Sequence, residues 1–182
     1  MHVYSKVTST LDKGNTMTVI TADLCDQFEA EIHSGRISVL PAIFKQYGQI
    51  ESFYGQVVTV KAFEDNTVIK QILENENGTG KVLVVDGGAS MRCALVGGNI
   101  AAAAVKNNWA GVIVNGCVRD ASEIEELNIA VCALGLHPLR SMRKGAGQRD
   151  IAIDVQGIRV CPNDWLYFDV DGLVISPTEL NR

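Results

Sequence analysis

No stretch of this chain is long and apolar enough to span a bilayer. A span needs about 18 or more consecutive apolar residues, and the longest uncharged stretches, 93–105 and 127–139, fall short and carry Gly, Asn, His or Pro. Basic charge is also scarce: 16 Lys+Arg stand against 21 Asp+Glu, a formal net charge of −5. That excludes general nucleic-acid binding, which needs a surplus of cations to contact phosphates. Cysteine pairing is missing, since Cys25, Cys93, Cys117, Cys132 and Cys161 form no CxxC. An odd, unpatterned set reads as the reduced thiols of a cytoplasmic protein, neither a disulfide framework nor a zinc site. Cys93, Cys117 and Cys132 lie in apolar runs and read as small buried hydrophobes. The histidines, His2, His33 and His137, are isolated, so a histidine metal site or a Ser-His-Asp triad has no support.

What is present is a chain of 182 residues, 47% apolar and 20% charged. Disordered chains have the opposite balance, and the length suits one compact domain of about 100–200 residues. Residues 1–20 are polar and aperiodic, and read as a flexible N-terminal arm, not a secretory signal, with Met17 an alternative start. The domain proper is expected over 21–182. Thr21 is placed to cap a helix with Leu24, Phe28 and Ile32 on one face. Residues 56–63 (QVVTVKAF) read as a strand, and Asn66 as the cap of a helix over 67–76. Residues 81–86 (KVLVVD) form an apolar strand ending in a tight Asp86-Gly87-Gly88 turn, with a separate strand over 90–96. A helix over 99–108, a strand over 111–115, a short helix over 121–127 and a strand over 129–134 follow. Hairpins are expected at 151–160 and 165–176. Strand–helix alternation followed by hairpins gives a mixed α/β sandwich in one domain.

Two places combine a strand end, glycines and a polar group. At Gly97-Gly98-Asn99-Ile100, glycines lead into a helix whose first N–H groups and dipole can cradle an anion such as a carboxylate. The alternative is a simple turn. At Arg119-Asp120, the guanidinium offers a planar fork for a carboxylate, and Asp120 is a hard oxygen ligand of the kind Mg²⁺ or Mn²⁺ takes alongside waters. The alternative is a surface pair with Asp120 capping the next helix. Gly98 and Arg119 are separated by twenty residues, one helix plus one strand. A right-handed βαβ unit of that length returns the chain to the same sheet edge, so the two places would face one cleft. A cluster of Arg140, Arg143, Lys144 and Arg149 reads either as a polyanion patch or as solvated loop or subunit-contact charge. No aromatics are interleaved there for base stacking.

At these residues the chain resembles the RraA-like family, which contains regulators of ribonuclease E activity and class II 4-hydroxy-4-methyl-2-oxoglutarate aldolases. The resemblance runs from Thr21 to Pro177 through FYGQVVTVKAFEDN (53–66), VLVVDGGAS (82–90), ALVGGNIA (94–101), NNWAGVIVNGCVRD (107–120) and CPNDWLYFDVDGLVIS (161–176). It implies an α/β/β sandwich of swivelling-domain (phosphohistidine-domain-like) type, assembled as a homotrimer, or a dimer of trimers, with active sites between subunits. The aldolases' Gly-x20-Arg-Asp-x2-Glu/Asp pattern reads here as Gly98, Arg119, Asp120 and Glu123. By that resemblance Gly97, Gly98, Asn99 and Ile100 contact substrate through the backbone, and Arg119 clamps its carboxylate. Asp120 holds the divalent cation (Mg²⁺ or Mn²⁺), largely through waters that Glu123 accepts from. One departure is Gly98 itself, where many active members carry Asp or Glu.

The implied reaction is metal-dependent cleavage of 4-hydroxy-4-methyl-2-oxoglutarate to pyruvate, with oxaloacetate decarboxylation as a side activity. Both pass through a pyruvate enolate without a lysine Schiff base. The alternative is a non-catalytic regulator that binds ribonuclease E or its helicase partners. Neither reading involves direct contact with nucleic acid or a membrane.

Overall fold

The computed structural model describes residues 19–181. In chain order the elements are α1 (Thr21–Gln27), α2 (Glu29–His33), β1 (Ser38–Val39), β2 (Lys45–Gln46), β3 (Phe53–Lys61), α3 (Thr67–Asn75), β4 (Lys81–Val96) and α4 (Gly98–Lys106). They continue with β5 (Gly111–Val118), α5 (Ala121–Glu125), β6 (Ala130–Leu136), β7 (Gln148–Arg149), β8 (Ile153–Val155), β9 (Ile158–Val160), β10 (Trp165–Asp169) and β11 (Gly172–Ser176). Of the arm expected over 1–20, all but Val19 and Ile20 lies outside the described residues. Val19 is buried, and its backbone exchanges hydrogen bonds with the Ser52 hydroxyl.

The main sheet runs β1-β11-β10-β3-β4-β5-β6-β2, with β7 added beside β3. Its centre, β3-β4-β5-β6, is parallel, and every residue of β5 is buried. Strands covered on both faces read as continuous apolar runs, as GVIV does here. The pleat sorts alternate residues. Leu83, Val85, Val112, Val114, Val131 and Ala133 pack under α3, α4 and α5 with Ile69, Ile72, Leu73 and Ala104. Val82, Val84, Ile113 and Cys132 face the β8–β9 hairpin through Ile153, Val155 and Val160. α1 and α2 cover the β10–β11 end, where Leu24 and Tyr167 are buried. The result is a mixed α/β domain with helices on one face and a small hairpin on the other. Among the described residues no helix is long and apolar enough to cross a membrane.

Several local expectations give way to tertiary contacts. Thr21 begins α1, but its side chain does not cap that helix; its N–H and hydroxyl both donate to the Asp169 carboxylate, at 2.7 and 2.5 Å. At α3 it is Asp65, not Asn66, whose carboxylate accepts the Thr67 N–H at 2.9 Å, while Asn66 Nδ2 donates to the Leu95 carbonyl. The expected turn at 86–88 is no end of strand. β4 runs through it with irregular pairing to β5 between Asp86 and Val96, Gly88 and Ala89 taking positive φ of 64° and 53°. Each such bulge keeps the strand going but re-aims its far end. The two-residue strands β1, β2 and β7 were not expected from the sequence. The helix over 99–108 begins one residue earlier, and both C-terminal hairpins form as expected, the first turned by Gln156 and Gly157 at positive φ.

Candidate active site

The βαβ unit expected from spacing is β4-α4-β5. Its strands are parallel neighbours, with Val96 beside Val118 at the far end, and the Arg119 N–H donates to the Val96 carbonyl at 3.0 Å. The loop entering α4 and the loop leaving β5 therefore lie side by side at the carboxyl edge of the parallel strands, where open α/β sheets bind ligands. Gly97 caps α4 in an extended conformation. The Gly98 N–H donates to Asp120 Oδ2 at 3.1 Å, and Arg119 Nε lies 3.4 Å from the same oxygen.

Asp120 stands at the N-cap position of α5, yet its side chain makes no capping bond there. It points across to α4, where a carboxylate is favoured by the helix dipole and a bare N–H. Its backbone is left-handed, φ 59° and ψ 44°, a conformation that Asp tolerates better than most residues. Part of the anion cradle is thus occupied from within the chain. Gly98 donates to Asp120, and the Ile100 N–H donates to the Gly97 carbonyl at 3.0 Å.

Both glycines are closely approached by side chains of the next loop and helix. A Cβ on Gly97 would stand 2.6 Å from Asp120 Oδ2 and 3.1 Å from Arg119 Cγ. One on Gly98 would stand 2.0 Å from Glu123 Oε2. In this arrangement Glu123 of α5 brings its own carboxylate to the spot that a side chain at position 98 would take.

Gly97, Asn99 and Ile100 line one wall of a small cavity of about 50 Å³, and Arg119 and Asp120 another. That is room for an ion or a few waters, within a cleft that opens to the surface. Sequence reasoning missed the third wall, Asn66, Arg140 and Arg143. The two arginines belonged to the basic cluster, and Asn66 was read only as a cap. Asn66 is 5% exposed, and its Oδ1 has no hydrogen-bond partner among the described residues. The basic cluster does not act as one patch, because Arg149 is tied to Glu76 and Asp150 elsewhere on the surface.

The segment that carries Arg140 and Arg143 is pinned down. The Ala94 N–H donates to the Leu139 carbonyl at 2.8 Å, the Ser141 N–H to the Ala94 carbonyl at 3.0 Å, and the Met142 N–H to the Glu64 carbonyl at 2.9 Å. Asp65 fastens the rest. Its carboxylate accepts the N–H groups of Lys144 and Ala146, at 2.6 and 3.2 Å, besides both donors of Thr67. Burial pushes the Asp65 carboxyl up, but the Thr67 hydroxyl and these backbone donors outweigh it and hold its pKa down at about 2.

The family model RraA-like, of the Aldolase/RraA type, matches residues 21–175. A Burkholderia multivorans protein named "Putative 4-hydroxy-4-methyl-2-oxoglutarate aldolase" is 50% identical over 164 residues, 90% of this chain and 99% of that protein. Among solved structures, the RNA-processing inhibitor RraA from Thermus thermophilis superposes with a TM-score of 0.84 at 41% identity, covering 91% of this chain and 96% of that one. A structure named as S-adenosylmethionine:2-dimethylmenaquinone methyltransferase from Geobacillus kaustophilus superposes with a TM-score of 0.82 at 41% identity, covering 89% and 97%.

Proposed function

This chain belongs to the RraA-like family, and from that premise we propose that it is a divalent-metal-dependent class II aldolase. It cleaves 4-hydroxy-4-methyl-2-oxoglutarate to pyruvate and decarboxylates oxaloacetate as a side activity. The observation that carries the reading is the meeting of Arg119, Asp120 and the α4 N-terminus, joined by the Gly98 N–H to Asp120 bond of 3.1 Å. The naming of the Burkholderia relative agrees with it.

Among the described residues no three His, Cys, Asp or Glu side chains group to enclose a metal. What the cleft offers is the part-exposed Asp120 carboxylate, Glu123 beside it against Gly98, and the unpartnered Asn66 Oδ1. That set fits a hard cation of the Mg²⁺ or Mn²⁺ class that keeps most of its waters. Asp120 would hold it, with Glu123 and Asn66 accepting from its waters. When bound, the ion polarises the 2-oxo group. Arg119 clamps the adjoining carboxylate and adds positive charge where the enolate develops. In the cleavage the C4 hydroxyl loses its proton to water, the C3–C4 bond breaks as C4 becomes the oxo carbon of one pyruvate, and the electron pair of that bond forms the enolate of the second pyruvate, which water then protonates. Among the described residues that line the cleft none is a lysine, in keeping with enolate chemistry that needs no Schiff base.

The assembly belongs to the same proposal: a swivelling-domain sandwich forming a homotrimer, or a dimer of trimers. Phe63, Met91, Leu136, Leu139 and Met142 are exposed apolar side chains, Met91 in the irregular part of β4, Leu136 at the end of β6 and the others in loops, and they suit such an interface.

The test is pyruvate release from both oxo acids with Mg²⁺ or Mn²⁺. We expect release by the wild type, its loss on chelation, and a fall of at least 100-fold in Asp120→Asn, a substitution the left-handed backbone accepts. Undiminished release by that variant, or no release by the wild type, overturns the reading. The 41% identity to an RNA-processing inhibitor supports a second reading as a regulator that binds ribonuclease E or its helicase partners. It predicts co-sedimentation with that enzyme, which Asp120→Asn leaves intact.

A further inference from the structure

We infer that Arg140 and Arg143 form a second anion subsite that selects dicarboxylic over monocarboxylic 2-oxo acids. The inference rests on the lyase reading and deepens it. Arg140 and Arg143 line the same cleft as Arg119, but come from a different segment of the chain. Arg119 Nε lies 3.4 Å from Asp120, whereas neither Arg140 nor Arg143 has a carboxylate within ion-pair distance among the described residues. Arg149, from the same basic cluster, does have such partners, in Glu76 and Asp150. Two guanidinium groups at one cleft with no internal counter-charge are suited to an anion that arrives with the ligand.

Their placement is built, not a loop's accident. The 139–146 segment is bonded to β4 through Ala94, to the Glu64 carbonyl and to the buried Asp65 carboxylate. Asp65 acts as a positioning residue that holds the second subsite at a set distance from the first. Asn66 lines the same cleft, and its Oδ1 is buried and unpartnered among the described residues. An acceptor left open there awaits a donor brought by a ligand or its water. A ligand with one carboxylate at Arg119 and a second a few bonds away would engage both sets of arginines, and a monocarboxylate would engage only the first.

The experiment is binding of two oxo acids that the lyase does not cleave, 2-oxoglutarate and 2-oxobutyrate, to the intact protein with Mg²⁺, measured by titration calorimetry. The wild type is expected to favour 2-oxoglutarate at least tenfold. Arg140→Ala/Arg143→Ala should bring that ratio close to one, and Asp65→Asn, with folding checked by circular dichroism, should lower it partway. A variant that keeps the wild-type ratio overturns the subsite while leaving the lyase reading in place. Equal weakening of both ligands also overturns it, because the arginines would then act without selectivity. Failure of the wild type to bind either acid overturns the lyase reading and the subsite with it.

Discussion

Gly98 and Glu123 compete for one small volume, and this contest decides the residue-scale behaviour of the site. With a Cβ on position 98 only 2.0 Å from Glu123 Oε2, even a methyl group must push the glutamate away. Gly98→Ala is therefore expected to destabilise by roughly 1–3 kcal/mol and to depress pyruvate release. Adding Glu123→Ala should restore most of the stability, though not the activity. Urea unfolding of both single variants and the double reads the coupling, and purely additive effects would contradict the contact. The sequence marked every residue on two walls of this site because strand-end glycines and an Arg-Asp pair are local signals. It could not show that Asp120 turns away from its own helix to take the Gly98 N–H, since that choice depends on how β4 and β5 pair.

At the scale of elements, the segment over 139–147 is the instructive case. It has no periodicity, and its arginines read as one cluster with Lys144 and Arg149, yet the fold divides them between a cleft and a surface ion pair. The divider is Asp65, a single carboxylate whose partners lie some eighty positions along the chain. Its carboxyl sits at about 2 in the folded state, below the ordinary value near 3.9. A depressed pKa contributes stability that is present above the unfolded value and is lost as pH falls through the folded one. Asp65→Asn should thus cost roughly 2–3 kcal/mol near neutral pH, and the gap to wild type should narrow between about pH 4 and pH 2. Urea melts at several pH values measure it, and a gap independent of pH would refute the role given to the charge. The same logic explains the misread caps at Thr21 and Asn66. A Thr or Asn before an apolar run is a sound local signal, but Asp169 and Asp65 supply better-placed acceptors, and Asp169 is 148 positions from Thr21.

Across the whole molecule, the parallel core was legible because buried strands such as β5 admit little but apolar residues. The two-residue strands were not, since they are too short to carry a period and exist only through their neighbours. The thiols follow the same burial. Cys93, Cys117 and Cys132 are buried and Cys25 and Cys161 partly so, and burial pushes the thiols of Cys25, Cys93, Cys117 and Cys132 up, away from the reactive thiolate. Titration of the native protein with a chromogenic disulfide at pH 8 should modify Cys161 and, more slowly, Cys25, with the other three appearing only on unfolding. Rapid reaction of all five would contradict the packing. The acidic total of −5 likewise describes the surface as a whole, while the cleft gathers three arginines against Asp120.

The close approach of positions 98 and 123 also makes each side chain a reporter of the other. A Cβ at 98 would meet the carboxylate end of Glu123 at 2.0 Å and its Cβ at 3.0 Å, so any side chain at 98 obliges the exposed glutamate to swing toward solvent, and where the Glu123 carboxylate rests records which residue stands across from it.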